Sequence, residues 1–138
     1  MLFVIWLYRK EPRIVISIFP IAIVISLLFN IIGFHMEWWV VHPAFNLNCI
    51  TALPYDLGFY PMSASFLIYG IKKYFNFRFY FILIFSLVIT FLEWVAVELN
   101  YVEYGQGWNI LWTFLSYLVA LQLVYLYYLL VERKLVNV

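Results

Sequence analysis

Charged residues are scarce in this chain, and their scarcity indicates the class of protein. Asp, Glu, Lys and Arg make up 11% of the 138 residues, while hydrophobic residues make up 67%. Soluble domains have roughly 25% charged and 45–50% apolar residues. So few charges leave too much apolar surface uncovered in water, so lipid is the expected solvent. The net charge of +1 gives no basis for a nucleic-acid partner.

Cysteine is also nearly absent. The one cysteine, Cys49, excludes an intramolecular disulfide and any multi-cysteine zinc or iron–sulfur site. It falls in the long connection of residues 35–55. There it is expected to be a small apolar side chain, and an intermolecular bridge is the alternative.

Motifs for common chemistry are missing as well. The sequence has no Gly-rich phosphate loop, no nucleophile elbow and no HExxH zinc motif. The predicted membrane spans contain no lysine in their interior, which excludes a retinal Schiff base. We therefore predict no cofactor and no enzymatic activity.

What the chain has in abundance is hydrophobic runs of membrane-spanning length. A transmembrane helix needs about 20 apolar residues, and four stretches are predicted to cross: residues 14–34, 56–73, 77–99 and 108–131. The second is the weakest because Gly58, Pro61 and Gly70 interrupt it, and a re-entrant segment is the alternative. Residues 1–8 are too short to span and are expected to lie in the membrane interface.

The basic residues predict the orientation of these spans. All eight Lys and Arg fall at positions 9–13, 72–78 and 133–134. Four crossings put these three clusters on one side, which the positive-inside rule makes cytoplasmic. The expected fold is an all-α integral membrane protein: a four-helix transmembrane bundle in the plasma membrane with both termini inside. A re-entrant second segment would put the 72–78 cluster outside.

Glu93 is the acidic residue that lies well inside the predicted span 77–99. It is about 22 Å of helical rise from Arg78, at 1.5 Å per residue, which puts it in the outer third of the bilayer. A carboxylate there is expected to face the bundle interior, as a functional group or as a structural hydrogen-bond acceptor. Glu98 lies about 140° further round the helix, so the two carboxylates do not form a catalytic pair.

Helical spacing puts polar or small residues on one face of three predicted spans. Thr90 shares a face with Glu93, Asn30 with Glu37, and Thr113 with Ser116. These stripes predict either a polar cavity open to the outside or ordinary close packing between helices. The candidate residues for binding a ligand or ion are Glu93, Glu98, Asp56, Glu37, Asn30, Thr90 and Thr113.

Two histidines lie at the outer end of the first span. His35 and His42 sit near Glu37, and imidazole and carboxylate groups bind divalent metals. Their spacing matches no established ligand motif. They are therefore only candidates for a metal site, and ordinary interfacial residues are the alternative.

A short set of residues between Pro54 and Leu130 forms a recognisable pattern: Asp56-x4-Pro61, Glu93, Glu98 and Tyr104-Gly105-x-Gly107-Trp108. This pattern resembles an uncharacterised family of small multi-spanning membrane proteins from bacilli and clostridia. The resemblance implies a four- or five-helix membrane protein of a Gram-positive bacterium, with no assigned activity.

Three classes of function remain open from the sequence. The leading expectation is an oligomer-forming or accessory subunit in the lipid bilayer, associated with a second copy or another membrane protein. The second is a binding or transport unit for a cation, proton or small solute, with an acidic outer cavity around Glu93. An intramembrane enzyme comes a distant third because no nucleophile–base pair is evident.

Overall fold

The structure, a computed structural model, describes residues 2–42 and 48–136. It is mostly helical, as the composition predicts, but not entirely so, because a small antiparallel strand pair accompanies the helices. The elements are α1 (Leu2–Lys10), α2 (Pro12–His35), β1 (Trp39–Val41), α3 (Asn48–Pro54), α4 (Tyr60–Lys73), α5 (Arg78–Glu98), β2 (Val102–Tyr104) and α6 (Ile110–Val136).

Three helical segments among the described residues are long and apolar enough to cross a membrane. They are Pro12–His35, Phe75–Glu98 and Ile110–Glu132, and they correspond to three of the four predicted spans. These segments confirm the expectation of a membrane protein. The segment predicted at residues 56–73 contains α4, which has only 14 residues.

The four longest helices form a bundle in which α2 packs against α4 and α6, and α5 packs against the same two helices. Helices α2 and α4 run antiparallel. At one end Lys72 Nζ lies 2.8 Å from Glu11 Oε2, and at the other Asn30 Nδ2 lies 2.7 Å from Asp56 Oδ1. The interior between these ends is mostly hydrophobic. Its most buried members are Ile18, Leu67, Ile68 and Ile71.

Helix α1 packs back onto the bundle. Leu7 is buried, and the Trp6 ring stacks on Phe66 of α4 with centroids 6.3 Å apart. Lys10 Nζ lies 4.7 Å from the centre of the Trp6 ring, so the basic end of α1 interacts with an aromatic face.

The strand pair closes the end of the bundle opposite the Glu11–Lys72 ion pair. Trp39 pairs with Tyr104 and Val41 with Val102, and such β-branched and aromatic residues suit a short ladder. The Gly105 amide extends the ladder by donating to Trp38 O at 2.8 Å. A Cβ on Gly105 would lie 2.6 Å from Glu37 O, so a side chain does not fit there.

Helices α3 and α4 are joined without a loop by a π-helical turn, Tyr55–Phe59. The Tyr60 amide donates to the Tyr55 carbonyl five residues earlier. Pro54 and Pro61 flank the turn, and each removes an amide donor from the helical pattern. The wider turn directs Asp56 into the bundle, where it is 1% exposed.

Candidate functional site

Glu93 lies in the last turns of α5 and accepts hydrogen bonds on both carboxylate oxygens. The Tyr104 hydroxyl of β2 donates to Oε1 at 2.9 Å, and the Tyr117 hydroxyl of α6 donates to Oε2. Two hydroxyl donors of this kind stabilise an ionised carboxylate in a water-poor environment. The acidic side chain is thus held between the strand pair and α6.

Two further hydroxyls and one indole extend these bonds away from Glu93. Tyr60 and Tyr117 are hydrogen-bonded at 2.9 Å. On the other side, Thr113 donates to the Tyr104 hydroxyl at 2.9 Å and accepts from Trp108 Nε1 at 2.9 Å. The resulting Glu93 network consists of Glu93, Tyr60, Tyr104, Trp108, Thr113 and Tyr117.

Tyr104 donates to Glu93 as a neutral hydroxyl. Burial, together with the negative charge of Glu93, raises the pKa of the Tyr104 hydroxyl above its usual range. The hydroxyl therefore keeps its proton at neutral pH, and the Glu93 network holds a stable donor at the β2 end.

A second network surrounds Asp56. Asn30 of α2 donates from Nδ2 to Asp56 Oδ1 at 2.7 Å and accepts at Oδ1 from Trp39 Nε1 at 3.2 Å. The Ser26 hydroxyl lies 3.4 Å from the Asp56 carbonyl oxygen. This Asp56 network therefore consists of Asp56, Ser26, Asn30 and Trp39.

Three tryptophans cover both networks at the strand-pair end. Trp38 and Trp108 stack with ring centroids 4.6 Å apart, and Trp39 meets Trp108 edge to face at 5.0 Å. Two of these indoles donate an N–H group, Trp39 to the Asp56 network and Trp108 to the Glu93 network. We call these three residues the tryptophan cap. Trp39 packs directly over Gly33, where any side chain would overlap its ring.

Beneath the tryptophan cap the bundle encloses a partly open cavity of about 370 Å³. Its wall is mostly apolar and includes polar groups from both networks. Helix α2 contributes Ser26 and Asn30, while α5 and α6 contribute Glu93 and Thr113. The aromatic part of the wall consists of Phe29, Trp39, Tyr55, Phe59, Tyr60, Tyr101 and Tyr117.

The electrostatic character of this cavity is acidic. Among the described residues that line it, none is lysine or arginine, and Glu93 is the charged one. The described basic side chains lie towards the other end of the bundle, as the Lys72–Glu11 contact illustrates. The cavity therefore holds an acidic group with no described basic side chain beside it.

The candidate residues from the sequence fall into three groups. Asn30, Glu93 and Thr113 line the cavity together. Asp56 lies behind Asn30, and Thr90 is buried with its hydroxyl 2.7 Å from the Ser86 carbonyl of its own helix. The other two candidates lie outside the cavity and are exposed, Glu37 and Glu98.

The weak metal candidates do not come together. His35 ends α2 and is exposed, while His42 Nε2 lies 3.3 Å from Glu103 Oε1 across the strand pair. Within residues 2–42 and 48–136 there is no group of three or more His, Cys, Asp or Glu side chains arranged for a metal ion. The Cys49 side chain, and with it the question of an intermolecular bridge, lies outside the described part of the chain.

Sequence reasoning did not identify the tyrosines and tryptophans of the two networks. It treated aromatic residues as lipid-facing or interfacial, which is their commonest role in membrane helices. Tyr117 carried a usable signal because it lies four residues after Thr113 and so on the same helix face. Tyr60 and Trp39 reach their partners only through the fold.

Comparison of the chain with models of protein families, with curated proteins and with solved structures finds no significant match. The chemistry of the cavity is therefore the basis for a functional interpretation.

Proposed function

We propose that this protein is a membrane-embedded binding unit for a small organic cation, held in the cavity beneath the tryptophan cap with Glu93 as its counter-ion. The observation that carries the proposal is a carboxylate facing a cavity of about 370 Å³ whose described lining includes no basic side chain. The volume lies within the roughly 300–1,000 Å³ of small-molecule sites.

The charge of the solute follows from the electrostatics of the cavity. In low dielectric an unpaired carboxylate is costly, and a positive charge in contact with it relieves that cost. An anion would face repulsion with no compensating Lys or Arg. A cation is therefore the solute that gains most from entering.

The aromatic wall favours an organic cation over a metal ion. Trp39, Tyr60 and Tyr117 line the cavity, and aromatic faces attract ammonium groups with affinities that increase when water is excluded. The remaining wall is largely aliphatic, which suits a hydrophobic body attached to the charged group. A hydrated metal ion would leave most of this surface unused.

The alternative of an oligomer-forming or accessory subunit gains less from the geometry. That hypothesis uses the polar stripes for contacts with another subunit. Several of those hydroxyls instead bond to carbonyls of their own helix, as Ser86 does with Ile82 at 2.9 Å and Ser116 with Thr113 at 2.8 Å. Polar groups satisfied in this way do not require a partner.

Binding of a charged and a neutral isostere tests the proposal. Benzyltrimethylammonium and neopentylbenzene have the same shape and differ in one positive charge. For the protein in phosphatidylcholine nanodiscs, we expect calorimetry to find binding of the cation, and Glu93→Gln to weaken it at least about tenfold, or about 1.4 kcal/mol. Glu98→Gln, an exposed change on the same helix, is the control and leaves affinity unchanged.

Two results would reject the proposal. One is equal affinity for the two isosteres, which would leave Glu93 without a role as counter-ion. The other is an equal effect of the Glu93 and Glu98 substitutions, which would reflect the total charge of the protein instead of the cavity.

We further propose that the chain crosses the plasma membrane four times with both termini in the cytoplasm. Helix α4 continues α3 and the π-helical turn, and this run of residues 48–73 is as long as the other spans. Support comes from its antiparallel contact with α2, between Lys72 and Glu11 at one end and Asp56 and Asn30 at the other. The cavity then opens in the outer half of the bilayer.

Cysteine labelling in a Cys49→Ser background tests this topology. A cysteine at position 106 is expected to react with an impermeant maleimide in intact cells, and one at position 74 only after permeabilisation. Labelling of both positions in intact cells would indicate that α5 does not cross, and the reverse pattern would overturn the proposed topology, as expected for an inverted bundle or an α4 that does not cross.

A further inference from the structure

Asp56 is buried and is bonded very differently from Glu93, which is half-buried in the cavity wall. Asn30 donates to its Oδ1 at 2.7 Å, whereas Oδ2 has no hydrogen-bond partner among the described residues and no accessible surface. Glu93 has a hydroxyl donor on each oxygen. A buried carboxylate oxygen without a donor is highly unfavourable as an anion, so Asp56 needs a neutralising ion.

The backbone around Asp56 adds to this need. In the π-helical pattern a carbonyl pairs with the amide five residues later, and for Asp56 that residue is Pro61, which has no amide hydrogen. The Ser26 hydroxyl, 3.4 Å away, is the side-chain donor near that carbonyl. The turn thus brings a further electronegative oxygen close to the carboxyl group instead of a donor.

The neutralising ion is a proton because a metal ion does not fit. A bound cation takes several oxygen ligands at well-defined distances, while Asp56 Oδ2 has no accessible surface. Asp56 is also not part of the cavity wall. Its network partners Asn30 and Trp39 line the cavity instead. Only a hydrogen on Oδ2 neutralises the group without moving the surrounding side chains.

The groups that face Asp56 leave it responsive to charge in the cavity. Tyr55 belongs to the same turn as Asp56. Tyr60 of α4 is close enough to interact electrostatically with Asp56 and also with Glu93, which is on α5. Helix α2 contributes the uncharged Ser26 and Asn30. The described side chains of α3 at positions 50–54 are also uncharged.

We propose that Asp56 is a proton-binding site whose proton is released when a cation binds at Glu93. The release rests on the proposed function, whereas the bound proton does not. A positive charge in the cavity favours the ionised form of Asp56, even though Asn30 lies between the cavity and the Asp56 carboxylate. In this step the O–H bond on Oδ2 breaks, its electron pair stays on the carboxylate, and the proton passes to water.

Proton release on binding of benzyltrimethylammonium tests the coupling. In weakly buffered nanodisc samples near neutral pH, a pH-indicator dye is expected to record about one proton per cation bound. By linkage the affinity then increases with pH by up to about tenfold per unit. Asp56→Asn is expected to bind the cation without proton release and with an affinity that does not depend on pH.

Each alternative result has a distinct meaning. Undiminished proton release in Asp56→Asn would assign the proton to Glu93 and overturn the inference. Charge-selective binding to the wild type without proton release would overturn it as well, while the proposed function would stand. Absence of charge-selective binding would instead reject the proposed function and the coupling with it.

Infrared spectroscopy of the unliganded protein tests the bound proton independently. The wild type is expected to have the carbonyl band of a protonated carboxylic acid, and this band is expected to persist in Glu93→Gln. Loss of the band in Glu93→Gln, or its absence from the wild type, would overturn the site at Asp56. This measurement does not depend on the folding of the Asp56→Asn variant.

Discussion

Adding one methyl group at Gly33 is expected to displace the tryptophan cap. A Cβ at this position overlaps the six-membered part of the Trp39 ring. Helix α2 packs against α4 and α6, whereas Trp39 lies in the connection that follows it, so Trp39 is the group expected to move. Gly33→Ala therefore separates Trp39 from its partners without removing any of the groups that bind.

The structure allows the size of this effect to be worked out. Trp39 would lose its hydrogen bond to Asn30, at 3.2 Å, which is worth about 0.6–1 kcal/mol in a membrane protein. It would also lose ring contacts with Trp108 at 5.0 Å and Phe34 at 6.4 Å, each worth about 0.5–1.5 kcal/mol. The better helix propensity of alanine returns up to about 1 kcal/mol. The expected net loss is about 1–3 kcal/mol.

Gly58→Ala provides the matched control. Gly58 also lies in a helical segment, but a Cβ there meets nothing within 4 Å, so alanine is expected to be neutral or slightly stabilising. Unfolding free energies measured in mixed micelles by titration with a denaturing detergent compare the two variants. If Gly33→Ala were as stable as Gly58→Ala, Trp39 would not be packed against Gly33, and the proposed link between the tryptophan cap and Asn30 would fail.

Two further changes separate the buried network from surface charge. Tyr117→Phe removes a donor to Glu93 and is expected to lower the unfolding free energy by about 1.5–3 kcal/mol, the range for hydrogen bonds to charged groups. The control is Tyr127→Phe, which removes the same hydroxyl group from another position on the same helix and should leave the unfolding free energy close to that of the wild type. Equal losses in the two variants would contradict a special role for Tyr117. Lys72→Met breaks an ion pair with Glu11 whose lysine side chain is 44% exposed, so we expect a loss of at most about 1 kcal/mol in the same titration. This loss should shrink at high salt; a larger loss that salt does not alter would mean that the pair is buried.

Hydropathy predicted most of the long helices because this signal extends over whole segments. Three apolar runs became the segments Pro12–His35, Phe75–Glu98 and Ile110–Glu132. The strand pair escaped prediction because each strand has three residues, too few for a period of two to stand out. Its pairing depends on contacts between residues more than 60 positions apart, which no local pattern records.

The candidate site was predicted in part for the same reason. Helix periodicity brought Asn30, Glu93 and Thr113 into one group, and all three line the cavity. Periodicity says nothing of the π-helical turn, which rotates Asp56 relative to a regular helix. It also does not distinguish a tyrosine that faces lipid from one such as Tyr117, whose hydroxyl meets a carboxylate on another helix.

The tryptophan cap connects the Asp56 network with the Glu93 network through a contact between two tryptophan side chains that belong to different connecting segments. Trp39 belongs to the segment that follows α2, and Trp108 to the segment that precedes α6; their rings meet at 5.0 Å. One indole N–H leads through Asn30 to Asp56 and the other through Thr113 towards Glu93. A solute that parts these rings would disturb both networks at once, because neither indole can move far without losing its acceptor. A cation that parted these rings would therefore alter the surroundings of Asp56 even if it touched only Glu93, in addition to the electrostatic effect by which we propose that it releases the proton.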